Sequence, residues 1–337
     1  MIEIAIDVGL LGGLLVTAFA VARSRDLFAA AMLSGLFSVL SASAFLLMDA
    51  ADVAFTEAAV GAGVSTLLML AALRLLGRYE RPRHKPQWLA LTIVLVTGAT
   101  LIYGTIDLPP FGAAGNPIHH HVADYYLKRS GAEIGIPNVV TSVLASYRGY
   151  DTLGETVVVF TALLAVLLLL AGERPAEPAA GGAEADFELS AGAGDHPILR
   201  VVARLLIPLI ALFAWYVQFH GDYGPGGGFQ AGVIIASGIL LHLLIFGLAP
   251  TLRILPERAW RTIAALGVLL YGGTGVAALL LGGNFLNYSV LASPAQAGQH
   301  LGIFLVELGV MLTVSASLVL ILLAFHRRRV VAASEVP

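Results

Sequence analysis

Nine stretches of roughly twenty apolar residues each run through this sequence, and segments of that length leave few ways to fold. A helix rising 1.5 Å per residue needs about 20 residues to cross a hydrocarbon core of about 30 Å. The stretches run approximately Ile2 to Ala22, Leu27 to Met48, Val53 to Leu76, Trp88 to Ile106, Thr152 to Ala171, Leu199 to Phe219, Phe229 to Leu248, Trp260 to Leu281 and Leu301 to Phe325. In lipid every backbone polar group must find its partner inside the protein. The pattern therefore predicts an all-α, polytopic integral membrane protein with about nine transmembrane helices in two blocks, five and then four. Composition agrees: 58% of the 337 residues are hydrophobic, 12% are charged and the mean hydropathy is +0.86.

The positive charges give these spans a direction. With the amino terminus outside, the inner loops collect 16 of the 19 basic residues, leaving Lys128, Arg129 and Arg148 on the outer side. The carboxy terminus is then cytoplasmic. Trp88 and Trp260 are expected at the inner interface and Trp215 toward the outer one. The absence of cysteine excludes disulfides, thiolate metal sites and cysteine-held redox cofactors. Glu3 and Asp7 open the first apolar run in place of a basic leader, so that run is expected to be a retained span. Residues 173–196 are rich in Ala, Gly, Pro and acid and read as a flexible cytoplasmic linker, a joint between two fused pieces.

The costly residues are the acids inside these spans. A carboxylate near mid-bilayer costs about 2.5–3.5 kcal/mol on insertion scales and so belongs beside a partner or water. Glu57 stands in such a span, in a stretch full of small residues that let helices approach closely. By helix rise, Glu57 lies roughly 6–8 Å below the outer end of its helix, Glu155 about 4–5 Å and Glu307 about 10 Å. His220 closes the outer end of the sixth span, and His242 lies deeper, nearer the inner face. Carboxylates and imidazoles at shared depth pass protons or replace the water shell of a cation. Glu57, Glu155 and Glu307 are accordingly the candidates for ion translocation, with His220, His242, Asp52 and Asp151 as relay or support. Competing structural roles exist: Thr152 and Glu155 have the spacing of a capping box, His242 suits a satisfied interior histidine, and Arg148 is placed to pair with Asp151. Gly61 and Gly63 are assigned to helix packing, and Pro225, Gly226, Gly227 and Gly228 to a tight turn returning the chain into the bilayer. That turn lacks the ending and preceding strand of a phosphate loop. The run His119 to His121 sits in an outer loop, where adjacent histidines point different ways and make no specific metal site. No nucleophile, base and orienting group meet outside the bilayer, so a soluble enzyme is not expected.

Three motifs then carry a resemblance. ADVAFTEAAVGAG, with the two spans before it, resembles the MbhD-type module, and NVVTSVLASYRGYDTLGE resembles the MbhE-type module. HGDYGPGGGFQAG followed by FLVELGV is similar to the MnhB/MrpB subunit. The resemblance implies an MbhD-like module at 1–80, an MbhE-like module at 81–172 and an MnhB/MrpB-like domain at 197–337. It implies a membrane subunit of an Mrp/Mnh-type cation/proton antiporter in a bacterial or archaeal plasma membrane, carrying H+ and a monovalent cation, Na+ foremost, with no cofactor and no nucleic acid. In the family the acids of the TEAAVG and DTLGE motifs are implicated in ion translocation, which here are Glu57 and Glu155. Its similarity to a membrane subunit of respiratory complex I places a π-bulge near Gly61 and Gly63. The long antiporter-like region that precedes these modules in the usual large subunit is not in this sequence, so a separate large subunit is expected as partner, together with small membrane subunits. The turn departs from the usual MnhB pattern in its His220-Gly221-Asp222 order, which weakens any role for His220. The alternatives are the same modules in an energy-converting hydrogenase or related complex, and a purely structural membrane adaptor.

Overall fold

The computed structural model describes residues 2–76, 78–80, 88–110, 112–170 and 197–334. The linker expected at 173–196 lies outside the described residues. The first block comprises α1 (Ile2–Arg23), α2 (Leu27–Leu47), α3 (Ala51–Glu57), a π-helical segment (Ala58–Ser65), α4 (Thr66–Leu76), α5 (Trp88–Gly104), α6 (Val122–Glu133), the short α7 (Val139–Thr141), a second π-helical segment (Ser142–Tyr147) and α8 (Gly149–Leu170). The second block comprises α9 (Pro197–His220), α10 (Gly228–Phe246), α11 (Leu248–Ile254), α12 (Glu257–Leu280) and α13 (Ala295–Ser334). The described residues form no strand beyond an isolated bridge between Asp26 and Tyr79.

Eight helices among the described residues are long and apolar enough to cross a membrane, the third assembled from α3, the π segment and α4. The ninth expected span is α5, whose 17 residues reach about 26 Å at 1.5 Å per residue. That is slightly short of the hydrocarbon thickness.

The expected π-bulge is present and encloses both glycines. Ser65 and Thr66 donate their hydroxyls to the Gly61 carbonyl at 2.8 and 3.3 Å, satisfying an acceptor in the widened turn. The second π segment carries no glycine to mark it. It closes with the Arg148 amide donating to the Val143 carbonyl at 2.7 Å, and Thr152 donates to the Leu144 carbonyl at 2.8 Å. This corrects the capping-box reading of Thr152 and Glu155: α8 has already begun at Gly149, and the Thr152 hydroxyl serves a carbonyl of the π turn. The Arg148–Asp151 pair forms at 2.5 Å with both side chains exposed.

The second block supplies the spine. α13 packs against α8, α10 and α12, and it is the most buried of the spans. Its crossing with α12 is close because Gly267 faces Gly309: a Cβ on Gly309 would stand 2.7 Å from the Gly267 carbonyl oxygen. The two blocks share one core. Val64, Ala145 and Leu163 from the first pack into the same cluster as Tyr271, Val306 and Val310 from the second. Two buried tyrosines fasten the join, Tyr271 donating to the Gly149 carbonyl at 2.7 Å and Tyr288 to the Ala145 carbonyl at 3.0 Å. Trp260, expected at the interface, is instead buried in this core at 6% exposure.

Candidate functional site

The second π segment and the glycine turn meet where the blocks join. Asn138 caps α7 through its Oδ1, accepting from Val140 N at 2.9 Å. Its amide nitrogen donates to the Gly221 and Gly224 carbonyls, each at 3.0 Å, and Thr141 adds a bond to Gly221 O at 2.7 Å. The NVVT stretch of one block is thus stitched to the HGDYG stretch of the other.

Gly227 has φ +110° and ψ −177°, a conformation that residues with a Cβ rarely adopt. The Gly228 amide at the start of α10 donates to Glu307 Oε2. A Cβ on Gly228 would collide with the Glu307 backbone carbonyl, and one on Gly227 would lie 2.8 Å from Glu307 Oε2. Gly226 lines the same space as Asp52. The turn therefore presents a backbone N–H to the Glu307 carboxylate, a stabilising arrangement for buried negative charge.

These acids line a cavity of about 540 Å³, bounded by Asp52 and Thr56 of α3, Thr141, Glu155 of α8, Gly226, Gln230 and Glu307. Gln230 donates to Thr56 Oγ1 at 2.8 Å, while Thr56 donates to the Asp52 carbonyl at 3.0 Å, tying α10 to α3 along one wall. Among the described residues, no basic side chain lines this cavity. Three carboxylates facing one space cannot all ionise cheaply, so protons or a cation must balance them.

The candidates divide. Glu155, Glu307 and Asp52 come together in this cavity, as do Gly226 and, through its amide, Gly228. Glu57 does not line it. At 100° per residue, five positions carry Glu57 about 140° around the helix from Asp52. It lies half-buried beside Ser38 of α2, where Gly61 makes room: a Cβ there would stand 2.6 Å from Glu57 Oε1 and 2.8 Å from Ser38 Cβ. His220 stacks on Tyr216 with ring centroids 5.0 Å apart, and its carbonyl accepts from Tyr223 and Gly224. It closes the turn and lines no part of the cavity. His242 is hydrogen-bonded through Nδ1 to Thr251 at 2.7 Å, far along α10 from the acids. Asp151 is held outside by Arg148.

Sequence reading missed Gln218, Gln230, Asp222 and His300. Asp222 pairs with His300 Nε2 at 2.8 Å; burial pushes its carboxyl up against the opposing pull of His300. The available signal was a polar amide at the edge of each of two apolar spans, Gln218 just before the end of α9 and Gln230 just inside the start of α10.

Comparison with known proteins agrees with this architecture. Residues 12–78 match the MbhD model, which describes the D-type component of MBH, and residues 90–185 match the MbhE model for its E-type component. Residues 198–320 match the domain related to the MnhB subunit of the Na+/H+ antiporter. A Rhizobium meliloti (strain 1021) protein, named as the A/B subunit of a K(+)/H(+) antiporter, is 31% identical over 85% of this chain and 30% of its own length. A Staphylococcus haemolyticus (strain JCSC1435) protein named antiporter subunit mnhB2 is 32% identical over 38% of this chain and 92% of its own. Among solved structures, the Mrp complex from Dietzia sp. DQ12-45-1b matches with a TM-score of 0.68 and 27% identity, over 92% of this chain and 34% of that one. The chain spans about a third of the length of the Rhizobium and Dietzia relatives. It belongs to the MnhB-related family of antiporter subunits, with MbhD and MbhE domains joined ahead of the MnhB domain in one polypeptide.

Proposed function

We propose that this multi-pass membrane protein is a subunit of a multisubunit cation/proton antiporter, working as a transporter component and not as an enzyme. The observation that carries the reading is the convergence of Asp52, Glu155 and Glu307, from three different matched domains, on one cavity that no basic side chain among the described residues lines. Within it, Glu155 and Glu307 exchange protons against a monovalent cation, Na+ foremost, and Asp52 shares that charge. The Gly228 amide holds Glu307 in place while the charge changes. Glu57, beside Ser38, forms a separate station on the α2–α3 side. The partners are other membrane subunits of the complex; α5, which buries none of its residues within the chain, offers one face for them. The asymmetry of basic residues supports an amino terminus outside and a cytoplasmic carboxy terminus in a bacterial or archaeal plasma membrane.

The test is exchange in vesicles carrying the native complex, recording the pH change on addition of sodium, potassium or lithium. Glu155→Gln and Glu307→Gln are expected to cut exchange at least tenfold while the complex assembles normally. Glu57→Gln separates the two stations: loss equal to that of Glu307→Gln makes both obligatory. Normal exchange in all three variants, at normal yield, refutes the assignment and leaves the structural adaptor.

A further inference from the structure

A second, smaller cavity of about 260 Å³ lies on the other side of Glu307. Glu307 and Thr141 are in the walls of both cavities, so Glu307 stands between them. The smaller one is bounded by Gln218 at the end of α9, by Asp222 in the turn after it, by His300 near the start of α13, and by Gly227. Gln218 is 5% exposed, and its Oε1 has no hydrogen-bond partner. A buried acceptor left without a donor is costly, and native proteins retain one chiefly where something else completes it.

We propose that this smaller cavity is a binding site for a partly hydrated monovalent cation, with Gln218 Oε1, the Asp222 carboxylate and Glu307 as its oxygen ligands. Each atom offered is a hard oxygen, the type that replaces water around alkali ions. Asp222 and Glu307 bring acid oxygens to the site, and His300 Nε2 stands 2.8 Å from Asp222 Oδ2. Thr141 contributes an oxygen whose proton is already committed to the Gly221 carbonyl, so its lone pairs are available. The cation then waits beside Glu307 on the outer-loop side, and protons occupy the Asp52–Glu155 side. This deepens the antiporter reading by giving each species its own side of one shared carboxylate, and it rests on that reading only for the word exchange; binding itself does not.

Binding is tested on the purified native complex with sodium chloride as the probe, against choline chloride at equal ionic strength. Thermal melting of the wild type should rise with sodium, since a ligand held only by the folded state stabilises it. Radioactive sodium binding should saturate. Gln218→Leu removes the oxygen while keeping an apolar side chain of similar bulk, and is expected to weaken sodium binding about tenfold or more. Gln218→Glu keeps an oxygen and is expected to bind at least as tightly as wild type. Absence of sodium-specific stabilisation and saturable binding in the wild type overturns the site. Equal binding by wild type and Gln218→Leu overturns it too. If Gln218→Leu fails to fold, Asp222→Asn is read in its place, with the same expected loss and the same refutation. Sodium binding without exchange would refute the antiporter reading and leave the site intact.

Discussion

Adding one methyl group at Gly228 tests the geometry of the carboxylate cavity most directly. In Gly228→Ala the new Cβ would stand 2.8 Å from the Glu307 backbone carbonyl carbon and closer still to its oxygen, with Oε2 of the same residue at 3.0 Å. The obstructing atoms are helix backbone, so α10 and α13 must separate. Overpacking of this kind costs about 1–3 kcal/mol. The bond from the Gly228 amide to the Glu307 carboxylate is lost with it, at about 1.5–3 kcal/mol for a hydrogen bond to a charged group. Better helix propensity of alanine returns about 0.5–1 kcal/mol. The net expectation is a loss of about 2–5 kcal/mol, seen as a melting temperature several degrees lower in detergent and as impaired exchange in vesicles. Gly98→Ala in α5 is the control, because a Cβ there meets nothing within 4 Å, and it should melt at or slightly above wild type. If Gly228→Ala melts with the control and exchanges normally, the close seat of the turn on Glu307 is wrong.

Two further outcomes follow from the joint and its surroundings. Asn138→Ala removes both amide donations to the Gly221 and Gly224 carbonyls and the α7 cap, and should cost about 2–4 kcal/mol in melting measurements; an unchanged melting temperature refutes the stitch between blocks. Outside the membrane, the Tyr147 and Tyr125 hydroxyls hold the Glu133 carboxyl below its ordinary value. A depressed carboxyl stabilises the fold above its unfolded pKa and loses that contribution as pH falls through the folded value. Tyr147→Phe should therefore melt below wild type at neutral pH, with the gap narrowing in acid; a gap constant with pH argues against it.

Much of this protein was readable one segment at a time. A span in lipid has to satisfy its own backbone, so each apolar run announced a helix, and α5, the run with the least margin, is also the short one. The first π segment was expected at Gly61 and Gly63 from the resemblance to a respiratory complex I subunit and not from a local pattern of residues. The second π segment, SVLASY, has no such pattern either; it is stabilised by Thr152 reaching back across eight residues, and the same bond is why the capping box failed. Glu57 drew attention because an acid in an apolar run is expensive wherever it points. Which way it points was a matter of helix phase against neighbours, and that phase gave the cavity to Asp52.

The amino-acid order alone determined that this chain lies in a membrane, where its helices run, and which few acids are paid for by something other than burial. The tertiary structure alone decided which of those acids share a space. Asp52, Glu155 and Glu307 are separated by 103 and 152 positions along the chain and meet where the two blocks pack together, through the shared core, the Tyr271 and Tyr288 bonds and the Asn138 joint. Proximity of that kind depends on long-range packing, and no local pattern of residues encodes it.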